Sequence, residues 1–215
     1  MSQPNADIID LLAGIEPGSA LVTIRGQRAQ ARENAQRSFE ALLEPEEPGT
    51  FPLSERYAVA AFVARLHGFD AATQFYTDLL GDEAPELVAA VDAAAVDTAA
   101  VDTAAASGAA SGPYGTYREP GLASESTPGP VWTADSAAFG EHLAAAVTHA
   151  HLLVLHPRDA RVDAIRALVT AGWSADDIVS LSQLVAFLTF QLRAAWGLRV
   201  LAAAATSATS EGTAA

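Results

Sequence analysis

Apolar positions along this chain recur at helical spacing, and the pattern breaks at Gly, Pro and clustered acids. DIIDLLAGI opens it, capped by Asn5 and stopped by Pro17. From Ser19 a polar–apolar segment runs to Leu43, with Arg25, Arg28 and Arg32 sharing one face at i, i+3 and i+7. After the loop EPEEPGTFP comes LSERYAVAAFVARLHGFDAATQFY. Ser54 is placed to N-cap a helix over 53–67, Glu55 suits its first turn, and Gly68 ends it. Asp70 then caps a second helix over 70–80, and so short a connection requires the two to pack antiparallel or cross steeply. ELVAAVDAAA, after Pro85, starts another helix.

A second helical run begins at Asp135, a good N-cap, where Phe139, Leu143, Val147, Ala150 and Val154 form a stripe that stops before Pro157. A short amphipathic helix over 159–171 is closed by Gly172. Ser174 and Asp177 make a capping-box-like start to DIVSLSQLVAFLTFQLRAAWGLRVLAAA, which is apolar nearly all round and therefore central. With no alternating strand pattern, the chain predicts an all-α fold of roughly eight helices.

Between these blocks the sequence degenerates. VDAAA, VDTAA and VDTAA are a five-residue repeat, followed by a Gly/Ser/Pro stretch to Pro130. Five residues advance a helix by roughly 500°, so the Val and Asp positions rotate around it without forming a stripe. A few turns could extend the preceding helix, but the composition favours a flexible insert, anchored by Tyr114, Tyr117 or Trp132. Deleting residues 98–111 is then expected to be nearly neutral. The organisation is an N-terminal block over 5–90, an insert over 91–132, a C-terminal block over 133–205 and a disordered tail over 206–215, together one compact domain.

Composition narrows the function classes. Half of the 215 residues are hydrophobic, aromatics are 7%, and Ala dominates, which suits close-packed helices. A net charge of −14 argues against nucleic-acid or anionic-membrane partners, which need clustered cations. MSQPNADIID has neither a basic nor an apolar leader region, and Gln183, Gln191, Arg193 and Arg199 interrupt the last helix, so a soluble cytoplasmic protein is expected. There is no cysteine.

The 53–76 layout resembles the core motif of the carboxymuconolactone decarboxylase (CMD) and AhpD-like, alkylhydroperoxidase-related family. The string AGWSADDIVSLSQLVAFLTFQLRAAWGLRVL is similar to the C-terminal region of peroxidase-related CMD proteins, where a buried helix carries a Gln or Asn and ends in an Arg-containing Gly-Leu step. The resemblance implies an AhpD-like helical bundle that oligomerises through its helices. It also implies a Glu, a Cys-x-x-Cys and a His, and these fall on Tyr57, Phe69, Ala72 and Tyr76. All four are replaced. A thiolate nucleophile and its resolving partner are missing, and phenols with pKa near 10 cannot serve as bases at neutral pH without a strong perturber. Thiol peroxidase chemistry is excluded by composition. The four positions are either packed core or a rebuilt site, and packing is the ordinary fate of aromatics at helical spacing.

Other candidates are few. His67, at the end of the motif helix, is either a displaced general base or a helix C-cap. His142, His149 and His156 lie seven apart, with His151 to the side. Seven residues rise about 10.5 Å, too far to share one ion, so a polar seam or subunit contact is expected and no metal or cofactor is assigned. The Arg25–Arg28–Arg32 stripe is an anion or partner site, or a solvated face paired with Glu33, Glu40 or acids elsewhere. Gln183, Thr189 and Gln191 could line a small cavity or satisfy nearby backbone. Two functions follow. One is a non-catalytic or diverged CMD-like subunit, assembling with itself or with an intact CMD-domain protein. The other is a thiol-independent decarboxylase or isomerase of a small organic acid, working through His67, Tyr57 or Tyr76.

Overall fold

The computed structural model describes residues 7–106, 115–127 and 129–212, with side chains placed up to residue 100 in the first stretch and 204 in the last. Its helices are α1 (Ile8–Ala13), α2 (Ala20–Gly26), α3 (Ala29–Leu43), α4 (Leu53–Leu66), α5 (Asp70–Glu83), α6 (Pro85–Ala106), α7 (Ser136–Leu155), α8 (Val162–Thr170) and α9 (Ala175–Gly212). Short 3-10 turns occupy Pro120–Glu125 and Pro157–Asp159. Among the described residues the β content is one isolated bridge between Gly115 and Thr127, so the fold is all-α.

Helix α4 is the hub. Every residue from Ala58 to Ala64 is fully buried, and four of these seven are alanines, so neighbouring helices can approach closely. α5, α6, α7 and α9 all pack on it. The loop before α4 is pinned by Arg56, whose guanidinium donates to the carbonyls of Phe51 (2.8 Å) and Leu42 (2.7 Å) and lies 4.3 Å over the Phe51 ring. At the other end Gly68 turns the chain in the left-handed region (φ 62°), which a side chain would resist. α4 and α5 are thus two helices folded onto each other, making the most extensive pairing in the molecule.

Several local expectations change. Asn5 lies outside the described residues, and α1 is capped by Asp7, which accepts from the amides of Ile9 and Asp10. The 19–43 segment is two helices, broken at Gln27 and Arg28. Pro52 and Phe69 hold the N-cap positions of α4 and α5, so Ser54 and Asp70 sit inside the helices. Ser174 does cap α9, with the Asp177 amide donating to its Oγ at 3.2 Å, and its hydroxyl donates to the Asp177 carboxylate at 2.6 Å.

The repeat is the larger correction. Residues 91–106 do not leave the body as an insert but continue α6. Val91 is fully buried, Ala94 is core, and Thr98 is 1% exposed, whereas Val96 is 73% exposed. The repeat rotates as anticipated, yet a helix lying against a curved body needs only some of its positions inside. Trp132 locks the arrangement, stacking on Phe62 at 5.5 Å and donating its indole N–H to Asp97 at 2.7 Å. Tyr117 lies under the Arg158 guanidinium, and Tyr114 falls outside the described residues. The expected disorder of 107–114 and of 213–215 likewise falls outside them. Residues 206–212, expected as a disordered tail, are the last turns of α9.

α9 runs beneath α1, α3, α4, α7 and α8. Leu181, Leu184, Leu188, Leu192 and Ala195 face the core, while Val179, Phe190, Trp196, Val200 and Leu201 are exposed. Gln183, Gln191, Arg193 and Arg199 do not interrupt it enough to exclude a span on length and composition. Among the described residues this one helix, over Ala175–Ala204, is long and apolar enough to cross a membrane, with 39% of its most apolar window buried in the fold.

Candidate functional site

Phe69 and Ala72 lie at the corner between α4 and α5, Tyr76 one turn further along α5, and Tyr57 toward the far end of the pair near Glu44 and Glu83; α9 touches Phe69 and Tyr76. Tyr76 is fully buried, and its hydroxyl donates to Gln191 Oε1 at 2.5 Å. Burial pushes its phenol far above the ordinary range, so it cannot act as a base. Ala72 is fully buried, and Phe69, at 1% exposure, packs edge-on against Trp196 at 5.6 Å. Tyr57 is buried too, and its phenol is also raised, first by desolvation and then by Glu44 and Glu83. All four positions are occupied by packed, non-reactive side chains.

His67 does what a C-capping histidine does. Its Nδ1 lies 2.9 Å from the Val63 carbonyl, which fixes the proton on Nδ1. Nε2 is left as a lone pair, screened from solvent and without a partner. Desolvation pulls the imidazole below its usual value, the Val63 bond opposes this, and the Arg193 charge adds to it. A notch of about 450 Å³ runs past His67, Phe69, Arg193 and Trp196. Neither Tyr57 nor Tyr76 lines it, so the three groups of the thiol-independent mechanism do not converge on one space.

The arginine stripe is resolved by acids elsewhere in the chain. Arg25 pairs with Asp7 and Asp10, and Arg32 with the same two carboxylates, at 2.6–2.8 Å. Arg28 sits at the N-cap position of α3, and Glu33 pairs with Arg37 instead. Of the three polar candidates on α9, Gln191 alone is fully buried.

A second cavity, larger than the notch, lies elsewhere, between α7, α8 and the segment 131–136, with a volume of about 660 Å³. Sequence spacing predicts a polar seam or subunit contact for His142, His149, His151 and His156. In the structure His149, His151 and His156 all line this space. His142 does not, being stacked on Trp173 at 4.4 Å with its Nδ1 3.1 Å from Glu55. The segment forming one wall is held against α7 by a close approach: a Cβ at Gly129 would come within 2.6 Å of the His156 ring. The identifiable signal in the sequence was that His149 and His151 flank a face of Ala144, Ala145, Thr148 and Leu152, too small and apolar to fill a helix interface. Among the described residues no three His, Asp or Glu side chains are grouped to hold a metal ion. No family model, curated protein or solved structure matches this chain.

Proposed function

We propose that this protein is a CMD-like, AhpD-related helical subunit that has lost thiol chemistry and acts by assembly. The observation that carries the reading is the sealed motif: Tyr76 is bonded to Gln191, and Phe69 and Ala72 are packed where the family's reactive groups fall. The helix–Gly68–helix corner and a long buried helix bearing Gln191 support the family reading. On this reading the protein works in the cytoplasm and turns over no peroxide.

The surface that supports assembly is the outer face of α9. Val179, Gln183, Ala186, Phe190, Arg193, Gly197, Val200 and Ala204 alternate at four- and three-residue spacing, and every one is exposed. Such spacing keeps them on one side of the helix. The occupant of this face is a second copy of the chain, because the stripe is complementary to itself when reversed. Antiparallel pairing sets Phe190 against Arg193 of the other copy twice, a cation–π pair, and Ala186 against Gly197, where small residues allow close approach. No acidic residue lies between Asp177 and Glu211, so this face of a strongly acidic protein carries no like-charge repulsion of its own acids.

Sedimentation equilibrium at about 10 μM tests the reading on the micromolar scale of ordinary assemblies. A dimer is expected, and Phe190→Glu should yield a folded monomer, since Phe190 is 56% exposed. A wild-type monomer would reject self-assembly. If that monomer formed a stoichiometric complex with a co-expressed cysteine-bearing CMD protein, hetero-assembly would take its place.

A further inference from the structure

We propose that the α7–α8 cavity is a binding site for an uncharged small molecule with an apolar, ring-sized body and a hydroxyl group, recognised by His149 and His151. The site is independent of the α4–α5 corner and of the assembly face on α9.

Two observations meet there. The first is the space itself. About 660 Å³ lies within the range of small-molecule pockets, and its walls are mostly apolar: Ala144, Ala145, Leu152, Ala164 and Ala171, with Trp132 at one side. The second is a pair of histidines with unmet bonding. His149 is 4% exposed and His151 1% exposed, and His149 Nδ1 and His151 Nε2 are buried without a hydrogen-bond partner among the described residues. Buried polar side chains in native proteins are nearly always bonded, so two orphaned imidazoles on one cavity point to a missing partner. His156 is already engaged, with its Nδ1 3.2 Å from Asp159.

The chemistry of the partner follows from the walls. Desolvation holds both imidazoles neutral, so each offers one N–H and one lone pair. A hydroxyl can meet either kind of group, donating to a lone pair or accepting from an N–H, whereas a carbonyl can only accept. No Arg lines the cavity, and the one carboxylate, Glu141, sits at an exposed position. An anion therefore finds no counter-charge and would face a carboxylate. A cation would have to leave water for two neutral rings and a row of alanines. His149 and His151 stand at the two edges of the α7 face that lines the cavity, about 160° apart across it with Ala145 and Thr148 between them, so they bracket a ligand placed there.

Calorimetric titration of the full chain at pH 7.5 with 1-naphthol, 1-naphthoate and 1-naphthylmethylammonium tests this, using one ring with a neutral, anionic or cationic head. The expected result is saturable, one-to-one binding of 1-naphthol, with the two charged probes at least about tenfold weaker. His149→Phe and His151→Phe should each weaken 1-naphthol by about fivefold or more. Ala145→Leu, which fills the cavity with apolar bulk, should abolish binding while leaving the melting temperature unchanged or higher. The proposal is overturned if 1-naphthol fails to saturate by about 1 mM, which would leave water as the occupant. It is equally overturned if Ala145→Leu binds like the wild type, if a charged probe binds as tightly as the neutral one, or if both histidine variants fold and bind unchanged. Should a histidine variant not fold, the wild-type probe series and Ala145→Leu decide.

Discussion

The hydroxyl of Tyr76 and the side-chain carbonyl of Gln191, 115 residues apart in sequence, share a 2.5 Å hydrogen bond in a fully buried setting. This bond ties α5 to α9 under the corner where the motif falls. The amide nitrogen of Gln191 has no partner, so the pair is already one bond short. Tyr76→Phe would strand the carbonyl as well, and we expect a loss of about 1–3 kcal/mol in urea unfolding. Replacing both, as Tyr76→Phe with Gln191→Leu, should recover most of that loss, because no polar group is then left unpaired. A double variant less stable than the sum of the single changes would show that the bond is not what the site depends on.

The repeat supplies an internal control. Val91 and Val96 occupy the same place in successive five-residue units, yet one is fully buried and the other 73% exposed. Val91→Ala should cost about 1.5–3 kcal/mol and Val96→Ala less than about 0.5. Equal, small effects would return this stretch to the flexible insert that its composition suggests. Deletion of 98–111 now carries an expected penalty too, since it removes buried Thr98 and shifts the chain that carries Asp97 away from Trp132.

Much of the fold was legible because helix periodicity and stop signals are local. The Leu143–Val147–Ala150 stripe, the Gly68 turn and the Ser174–Asp177 cap all needed only neighbouring residues, whereas Gly140, in the left-handed region at φ 72°, kinks α7 between Phe139 and Leu143 and breaks the longer stripe expected there. What escaped were features decided by distant partners. Asp7 caps α1 with one carboxylate oxygen while Arg25 and Arg32, from elsewhere in the chain, converge on the other. α6 persists through the repeat because Phe62, Asp97 and Trp132 meet across the body. The cavity escaped for the same reason: the spacing of His149 and His151 shows only that they flank one face of α7, and the placement of α8 and of Gly129 encloses the space beside them.

Acid should loosen the protein through the buried histidines. His151 is pushed down to about 4 by burial, with the nearby His156 adding to it, and His149 is lowered by burial alone. Between the ordinary histidine value near 6.5 and about 4, the unfolded chain binds protons that the folded chain refuses. Stability is therefore fully present above the unfolded value and falls as pH drops toward 4. His151→Phe should flatten that part of the stability–pH curve by up to about 3 kcal/mol. An unchanged slope in the variant would assign the acid sensitivity to other groups.

The α1 cluster gives the clearest test of charge pairing in the fold. Asp7 is 4% exposed, caps α1 through the Ile9 amide at 2.8 Å, and accepts from Arg25 at 2.6 Å and Arg32 at 2.8 Å. Asp7→Ala removes the cap, worth about 1 kcal/mol, and leaves Arg25 partly buried with one carboxylate fewer. The expected loss is about 2–4 kcal/mol in chemical denaturation. Asp7→Asn keeps an equally good capping oxygen and should recover about 1 kcal/mol of it. Asp10, 13% exposed, shares the same two arginines without capping α1, so Asp10→Ala should cost less than Asp7→Ala. If Asp7→Ala stays within about 0.5 kcal/mol of the wild type, the arginines find water as good a partner as the carboxylate, and the cluster does not anchor α1.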